Sequence, residues 1–484
     1  MELTEEEKNI LEKEKSILPS DEEIKQILSK SPNLALQSFA TIEDPSKITP
    51  LTPEIISRQA TMNIGTIGHV SHGKTTLVRA ISGIQTTKFK KEKERNITVE
   101  LGYANAKLYK CPKCPDLDGY KSYGCKKEDA PKCENCGEKL QLLRHISFVD
   151  CPGHDILMAT MLNGTSVMDA ALLLIASNVP CPQPQTREHL AAVENMDLEN
   201  IIIVQNKIDL IKQEKAIENC NQIKAFVKGT KASKSPIIPI SAQLEYNIEA
   251  VIYYLCNLPI PKRDFISPPK FIIIRSFDIN YPGTESDKLK GGIAGGSLIK
   301  GILRIGDLVE IKPGVVDKSQ KGEIKVQNLY SRIVSLKADE NELIYAVPGG
   351  LIGVGLKLDP FLTCKNELSG KILGHPGKLP DIFKSIIVKT HLISRYFGSS
   401  KPGDKNSAHV AEIKYKEILL INLGPISIGS TVIDISGDNK DIVKFSLEEP
   451  VCAEFGETVA FSRRIGKAWR LIGWGKLMEG GEKL

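Results

Sequence analysis

Residues 68–75 read Gly-His-Val-Ser-His-Gly-Lys-Thr and fit the phosphate-loop pattern GxxxxGK[ST], with a strand-like run ahead and a helix-like run behind. This narrows the possible folds more than any other feature. Such a loop works only where a strand delivers the chain and a helix carries it away, with free backbone N–H groups facing the ligand. Gly68 and Gly73 let the backbone approach a polyphosphate, Lys74 supplies a point charge to the β and γ oxygens, and the Thr75 hydroxyl is a hard ligand suited to magnesium. Val70, Ser71, His72 and Thr76 complete the cradle. Residues 63–67 read as the end of the strand and 76–81 as the start of an apolar-periodic helix.

Three further motifs follow in an order that specifies the nucleotide. The apolar run 145–149 ends in Asp150-Cys151-Pro152-Gly153-His154. Asp150 is placed to hold magnesium through water, and the Gly153 N–H to bond a γ-phosphate and release it on hydrolysis. Residues 201–205 read as a buried parallel strand leading into Asn206-Lys207-Ile208-Asp209. A carboxylate there accepts both the N1–H and the 2-amino hydrogens of guanine, a donor pair that adenine lacks. Ser241, Ala242 and Gln243, after the strand-like 237–240, complete the base pocket at the carboxyl edge expected for ligands in an open α/β sheet. Together these imply GTP and GDP as ligands.

Between phosphate loop and sensor, Arg95-Asn96-Ile97-Thr98 occupies the place of a switch loop, with Thr98 the candidate second magnesium ligand. His154 is the candidate to orient or polarise the attacking water, an imidazole being able to act near neutral pH. The other reading of His154 is a cap on the following helix.

The same interval carries Cys111-Pro-Lys-Cys114 and Cys133-Glu-Asn-Cys136. Two CxxC pairs at this separation fit a zinc ribbon, a closed set of four thiolates that holds zinc structurally and leaves no position for catalysis. The surrounding composition is too polar for a core of its own, so metal is expected to order the insert. Cys125 either displaces one knuckle cysteine or stays free. No secretory signal is apparent and the other cysteines are scattered, which argues against disulfides.

A length of 484 residues suggests about three domains. Residues 1–59 read as an extension, with Thr4/Glu7 and Ser20/Glu23 at capping-box spacing for two short amphipathic helices. Alternating strands and helices over 60–262 predict a doubly wound, mostly parallel α/β P-loop GTPase domain, with the zinc-ribbon insert at 108–139. Prolines at 259, 261, 268 and 269 mark a linker. Glycine-punctuated strands such as 271–277, 302–309 and 352–358 predict a β-barrel over 267–380, and 417–421 with 459–461 a second over 381–484. The net charge of +5 does not diagnose RNA binding. Basic clusters at 88–95 and at Arg463, Arg464, Lys467 and Arg470 either neutralise phosphates or form solvated faces. No apolar run approaches the roughly 20 residues that span a membrane. A cytoplasmic location with no membrane partner is expected.

In this order, and with His69, His72 and His154 in place, the motifs resemble those of the translational GTPases. Segments 94–107 (ERNITVELGYANAK), 150–163 (DCPGHDILMATMLN), 181–186 (CPQPQT), 291–301 (GGIAGGSLIKG) and 470–475 (RLIGWG) narrow the resemblance to the gamma subunits of eukaryotic and archaeal translation initiation factor 2. The resemblance implies a GTP hydrolase that is slow alone and carries methionyl initiator tRNA to the small ribosomal subunit. Alpha and beta subunits, GTPase-activating factors and nucleotide-exchange factors are the implied partners. It also puts Val70 and Ile97 at a hydrophobic gate beside His154, and Asn96 and Tyr103 beside the pocket for the aminoacyl end. An aromatic there either stacks on a splayed base or the methionyl group, or is a core residue of its strand. Ser71 departs from the family's alanine, and Ser177 and Val179 from its glycine and glutamate; none of these removes a phosphate or guanine contact. The competing expectations are a specialised elongation GTPase, such as the selenocysteine-specific one, and the GTPase subunit of a sulfate-activating adenylyltransferase.

Overall fold

The computed structural model describes residues 16–86, 101–153, 161, 167–195, 198–281, 283, 285, 291–318, 324–393, 410–437, 440–466 and 468–484. Asn96, Ile97, Thr98, His154, Lys467, the basic run 88–95 and the Thr4/Glu7 pair lie outside them.

The nucleotide-binding half is built on one seven-stranded sheet. Its strands are β1 (Met62–Ile67), β2 (Gly102–Lys110), β3 (Tyr120–Gly124), β4 (Gln141–Asp150), β5 (Ala170–Ala176), β6 (Asn200–Asn206) and β7 (Ile237–Pro239). They stand in the order β3-β2-β4-β1-β5-β6-β7. The pairs from β4 through β7 are parallel, while β2 and β3 add antiparallel at one edge. The strands β1 and β5 are buried at every position, which explains the unbroken apolar sequence of β5: helices cover both faces, so alternation has no purpose; β1 carries Asn63 and Thr66 buried with hydrogen-bond partners instead. One core lies under the helices Lys74–Ser82 and Ile248–Cys256, the other under Pro184–Asn195 and Gln213–Val227.

Two closed six-stranded barrels follow. In the first, Lys270–Phe277, Ile293–Lys300, Leu308–Lys318, Ile324–Ala338, Ile352–Leu356 and Ile372–Gly374 form the ring, which Leu308–Lys318 closes by pairing with Ile324–Ala338. The expected strand over 302–309 is instead two strands, Leu303–Arg304 and one starting at Leu308, because Gly306 turns the chain at φ +90°. The second barrel comprises Ile382–Leu392, Ile442–Cys452, Ile426–Ser436, Ile418–Leu423, Thr458–Ile465 and Ala468–Met478, the last pairing back with the first.

Residues 16–59 do more than extend the chain. Ser20 and Glu23 form the expected capping box at the start of the helix Asp21–Ser29. Leu28, Ile48 and Ile55 then share a small core with Ile344, Tyr345 and Val347 of the first barrel. The Gln37 amide bonds the Ile344 N–H and the Tyr345 carbonyl, and Gln59 likewise brackets Val347. Arg58, fully buried, donates to the carbonyls of Ala35, Ser31, Leu28 and Glu342. These residues fasten the N-terminal segment to the first barrel, and the Ile56 carbonyl, which accepts from His145 of β4, joins the same segment to the α/β sheet.

Candidate functional site

The turn from β1 into the helix Lys74–Ser82 requires backbone that side chains resist. Gly68 and Gly73 lie at φ +136° and +92°, and Ser71 at +60°. A Cβ on Gly68 would collide with the Leu174 carbonyl, and one on Gly73 with the Asn206 amide. Lys74 Nζ bonds the carbonyls of Gly68 (2.9 Å) and His69 (2.8 Å), curling back over the loop where a phosphate would sit. Burial lowers its pKa to about 8, with Asp150 opposing, so the ammonium persists at neutral pH. Val70, Ser71, Thr75 and Thr76 are open to solvent in varying degree, and His72 is buried with Nδ1 against the Leu174 carbonyl.

Asp150, at the end of β4, is wholly buried and gathers three hydroxyls: Thr66 (2.8 Å), Thr75 (2.6 Å) and Thr86 (2.6 Å). The Thr75 hydroxyl and the Asp150 carboxylate are hard oxygen donors joined here by a direct hydrogen bond, which a magnesium ion and its water would have to replace. Gly153 sits over the loop, where a Cβ would lie 2.5 Å from Lys74 Nζ and 2.8 Å from the Val70 nitrogen. Only a glycine backbone can approach the phosphate position so closely.

Asn206 joins the motifs. Its Nδ2 donates to the His72 carbonyl (2.9 Å), and its Oδ1 accepts from Lys207 N (2.8 Å) and Ala242 N (3.0 Å). One side chain therefore links the phosphate loop to both segments of the expected base pocket. Asp209 stands exposed in the turn Ile208–Leu210, Ser241 and Ala242 are buried at the strand end, and Gln243 is exposed.

The four cysteines of the insert converge. Their sulfurs all lie within 4.8 Å of one another, with Cys111 to Cys136 at 3.3 Å, Cys114 to Cys136 at 3.6 Å and Cys114 to Cys133 at 3.7 Å. Thiolates about 2.3 Å from a tetrahedral zinc stand roughly 3.8 Å apart, so the cluster fits zinc. Cys125 is not in it: its Sγ donates to Asp339 Oδ2 at 3.2 Å, across to the first barrel. The insert does have a small core, but Cys111 and Cys133 form half of it, beside Tyr109 and Leu140.

Tyr103 pairs opposite Val149, and its ring packs against the second core of the sheet. The hydroxyl is buried without a hydrogen-bond partner among the described residues. Sequence reasoning did not single out Thr66 and Thr86 at Asp150, or His189, whose Nδ1 accepts the Gly68 N–H at 3.0 Å. Thr86 carries no sequence signal, since it meets Asp150 only through the fold. His189 lies three residues beyond the quoted 181–186 segment and was legible as a histidine near a motif.

Residues 59–260 match the family described as Elongation factor Tu GTP binding domain, and residues 384–477 match Initiation factor eIF2 gamma, C terminal. The chain is 55% identical over 93% of its length to eukaryotic translation initiation factor 2 subunit 3 of Drosophila melanogaster, covering 94% of that protein. It is also 55% identical over 90% of its length to the subunit gamma of Schizosaccharomyces pombe, covering 98% of it. Among solved structures, the fold is similar to a bacterial selenocysteine-specific elongation factor (TM-score 0.62, 20% identity, 86% of this chain and 58% of that one). It is equally similar to elongation factor SelB of Methanococcus maripaludis with a GTP analogue (TM-score 0.62, 21% identity, 87% of this chain and 80% of that one). At these identities the likeness shows the fold alone.

Proposed function

The chain belongs to the family of gamma subunits of eukaryotic translation initiation factor 2, and from that premise we propose that it carries methionyl initiator tRNA to the small ribosomal subunit while GTP is bound. It is the GTP-binding, GTP-hydrolysing subunit of such a factor. Alpha and beta subunits complete the complex, and activating and exchange factors act on it. Its place of work is the cytoplasm. No helix among the described residues is long and apolar enough to cross a membrane.

The carrier role is supported by the family, and the observation that supports the nucleotide part of the reading is the Asn206 junction, which ties the phosphate loop to the two base-pocket segments through three hydrogen bonds. In the bound state Lys74 leaves the Gly68 and His69 carbonyls for the β and γ oxygens. Thr75 and Asp150, with Thr98 from the switch, would hold magnesium, which would supply positive charge to the phosphates. Asp209 accepts the guanine donors, Lys207 flanks the base, and the backbone at Ser241, Ala242 and Gln243 closes its edge. Gly153 reports the γ-phosphate to the segment behind it, and His154 orients the water. Asn96 and Tyr103 are the contacts proposed for the aminoacyl end, and of the two Tyr103 has its ring packed against the core and its hydroxyl buried. The working units are residues 60–262, with zinc held by Cys111, Cys114, Cys133 and Cys136, then 267–380 and 381–484.

The test is retention of methionyl initiator tRNA by the chain with its partner subunits, loaded with a non-hydrolysable GTP analogue or with GDP. The expected result is tight binding with the analogue, weakened by GDP. Retention that ignores the nucleotide overturns the carrier reading.

A further inference from the structure

The helix Pro184–Asn195 stands in the corner between the α/β sheet and the last barrel, and two adjacent residues point from it in different directions. Successive residues of a helix diverge by about 100°, so a corner position lets neighbours serve two surfaces. Glu188, 4% exposed, accepts from Arg470 Nη1 at 2.5 Å; Arg470 lies on the barrel strand Ala468–Met478. His189, 1% exposed, accepts the Gly68 N–H at the first residue of the phosphate loop. Between these polar contacts the packing is continuous. Leu190 and Val193 of the helix, Ile67 of β1, and Ala460 and Leu471 of the barrel belong to one buried cluster.

Gly68 is held from three sides. Its N–H goes to His189, its carbonyl to Lys74, and its α-carbon faces the Leu174 carbonyl with no room for a side chain. When Lys74 turns to a phosphate, the carbonyl contact is lost and the His189 bond carries more of the work of fixing this peptide. We infer that His189 is a positioning residue for the phosphate loop, seated by the Glu188–Arg470 pair, so that docking of the last barrel sets how tightly the nucleotide is retained. The inference rests on the reading that residues 68–75 hold GDP and GTP.

The experiment measures release of a fluorescent GDP analogue from the full-length chain. Its variants are His189→Leu, His189→Asn, Arg470→Met, Glu188→Gln and the double variant His189→Leu/Arg470→Met, each checked for a single cooperative unfolding transition well above the assay temperature. Removing the acceptor leaves a buried N–H unsatisfied, so His189→Leu should speed release roughly tenfold. His189→Asn, whose Oδ1 falls near the lost Nδ1, should restore release to within about threefold of the original chain. Arg470→Met and Glu188→Gln should each speed release by roughly threefold to tenfold, and Arg470→Met should add little to His189→Leu, since both act through one contact. Release unchanged in Arg470→Met and Glu188→Gln, or effects of Arg470→Met and His189→Leu that multiply in full, overturns the inference. If His189→Leu fails to fold, the two substitutions at the ion pair decide the matter. A chain that binds no GDP before substitution overturns the nucleotide reading instead.

Discussion

Replacing Arg58 with Met should loosen the N-terminal segment from the first barrel while leaving the barrel and the α/β sheet folded. The guanidinium is completely buried and reaches four carbonyl oxygens on two separate segments, three within residues 28–35 and the fourth on Glu342 of the first barrel. Two of those oxygens keep other partners, since Leu28 O also accepts from Ser31 N and Ser31 O from Leu34 N. The loss therefore concentrates on Ala35 O, at 2.6 Å, and Glu342 O, at 3.0 Å. Hydrogen bonds to a charged group contribute about 1.5–3 kcal/mol each, so the pair contributes about 3–6 kcal/mol. Burial lowers the arginine's pKa, with Asp129 opposing, which marks a desolvation cost that the uncharged variant avoids. The net expectation is about 2–4 kcal/mol, a weakening of roughly thirtyfold to several-hundredfold. Hydrogen exchange of the full-length chain would read it at the Ile344 and Val347 amides, which Gln37 and Gln59 protect. Arg58→Lys should lose nearly as much, because an ammonium cannot reproduce the forked donors. Unchanged exchange at both amides in Arg58→Met would refute the claim that this arginine secures the segment to the barrel.

Further outcomes follow from the same geometry. Burial pulls His72, His145 and His189 down to about 3. Their neutral forms stabilise the fold fully above the unfolded value near 6.5, and that contribution drains as pH falls toward 3, by about 1.4 kcal/mol per pH unit for each imidazole. His145→Asn, keeping a donor to the Ile56 carbonyl, should flatten the slope of urea stability between pH 6.5 and 5 by about one such step; an unaltered slope would count against the assignment. Zinc, at one ion per chain by metal analysis, is expected to resist dilution, and its chelation should expose Cys125 to thiol reagents. Burial holds the Cys125 thiol up at about 12, beside Asp339. Labelling of Cys125 at the same rate with and without metal would separate the insert's order from its thiolate cluster. Asp209→Asn should weaken GDP binding on the order of a hundredfold and recover affinity for xanthosine diphosphate, whose 2-oxo group accepts where guanine donates. Loss of both nucleotides in a folded variant would contradict the base contact.

What the sequence disclosed is what local chemistry dictates. The phosphate loop announces itself because the needs of its ligand fix residue types at fixed spacing, and β5 and β6 because two covered faces demand apolar runs. The cysteine pairs were equally plain, since four thiolates at knuckle spacing have few other uses. Residues 16–59 were harder to read. Their few apolar positions find partners some 300 residues away at Ile344, Tyr345 and Val347, and their strongest ties are the polar side chains of Gln37, Arg58 and Gln59, which resemble surface residues in isolation. The break at Gly306 inside an apolar stretch was hidden for a related reason: a single turn residue decides it. Thr86 at Asp150 and the double allegiance of the helix Pro184–Asn195 exist only once distant segments meet.

The central claim is tested most directly by comparing methionyl initiator tRNA with methionyl elongator tRNA, in the presence of a GTP analogue, on the chain assembled with its partner subunits. The same amino acid on both isolates the tRNA body. Preference for the initiator by a large factor, reduced when GDP replaces the analogue, is the predicted result. Equal binding of the two would contradict an initiation carrier and indicate an elongation-type one.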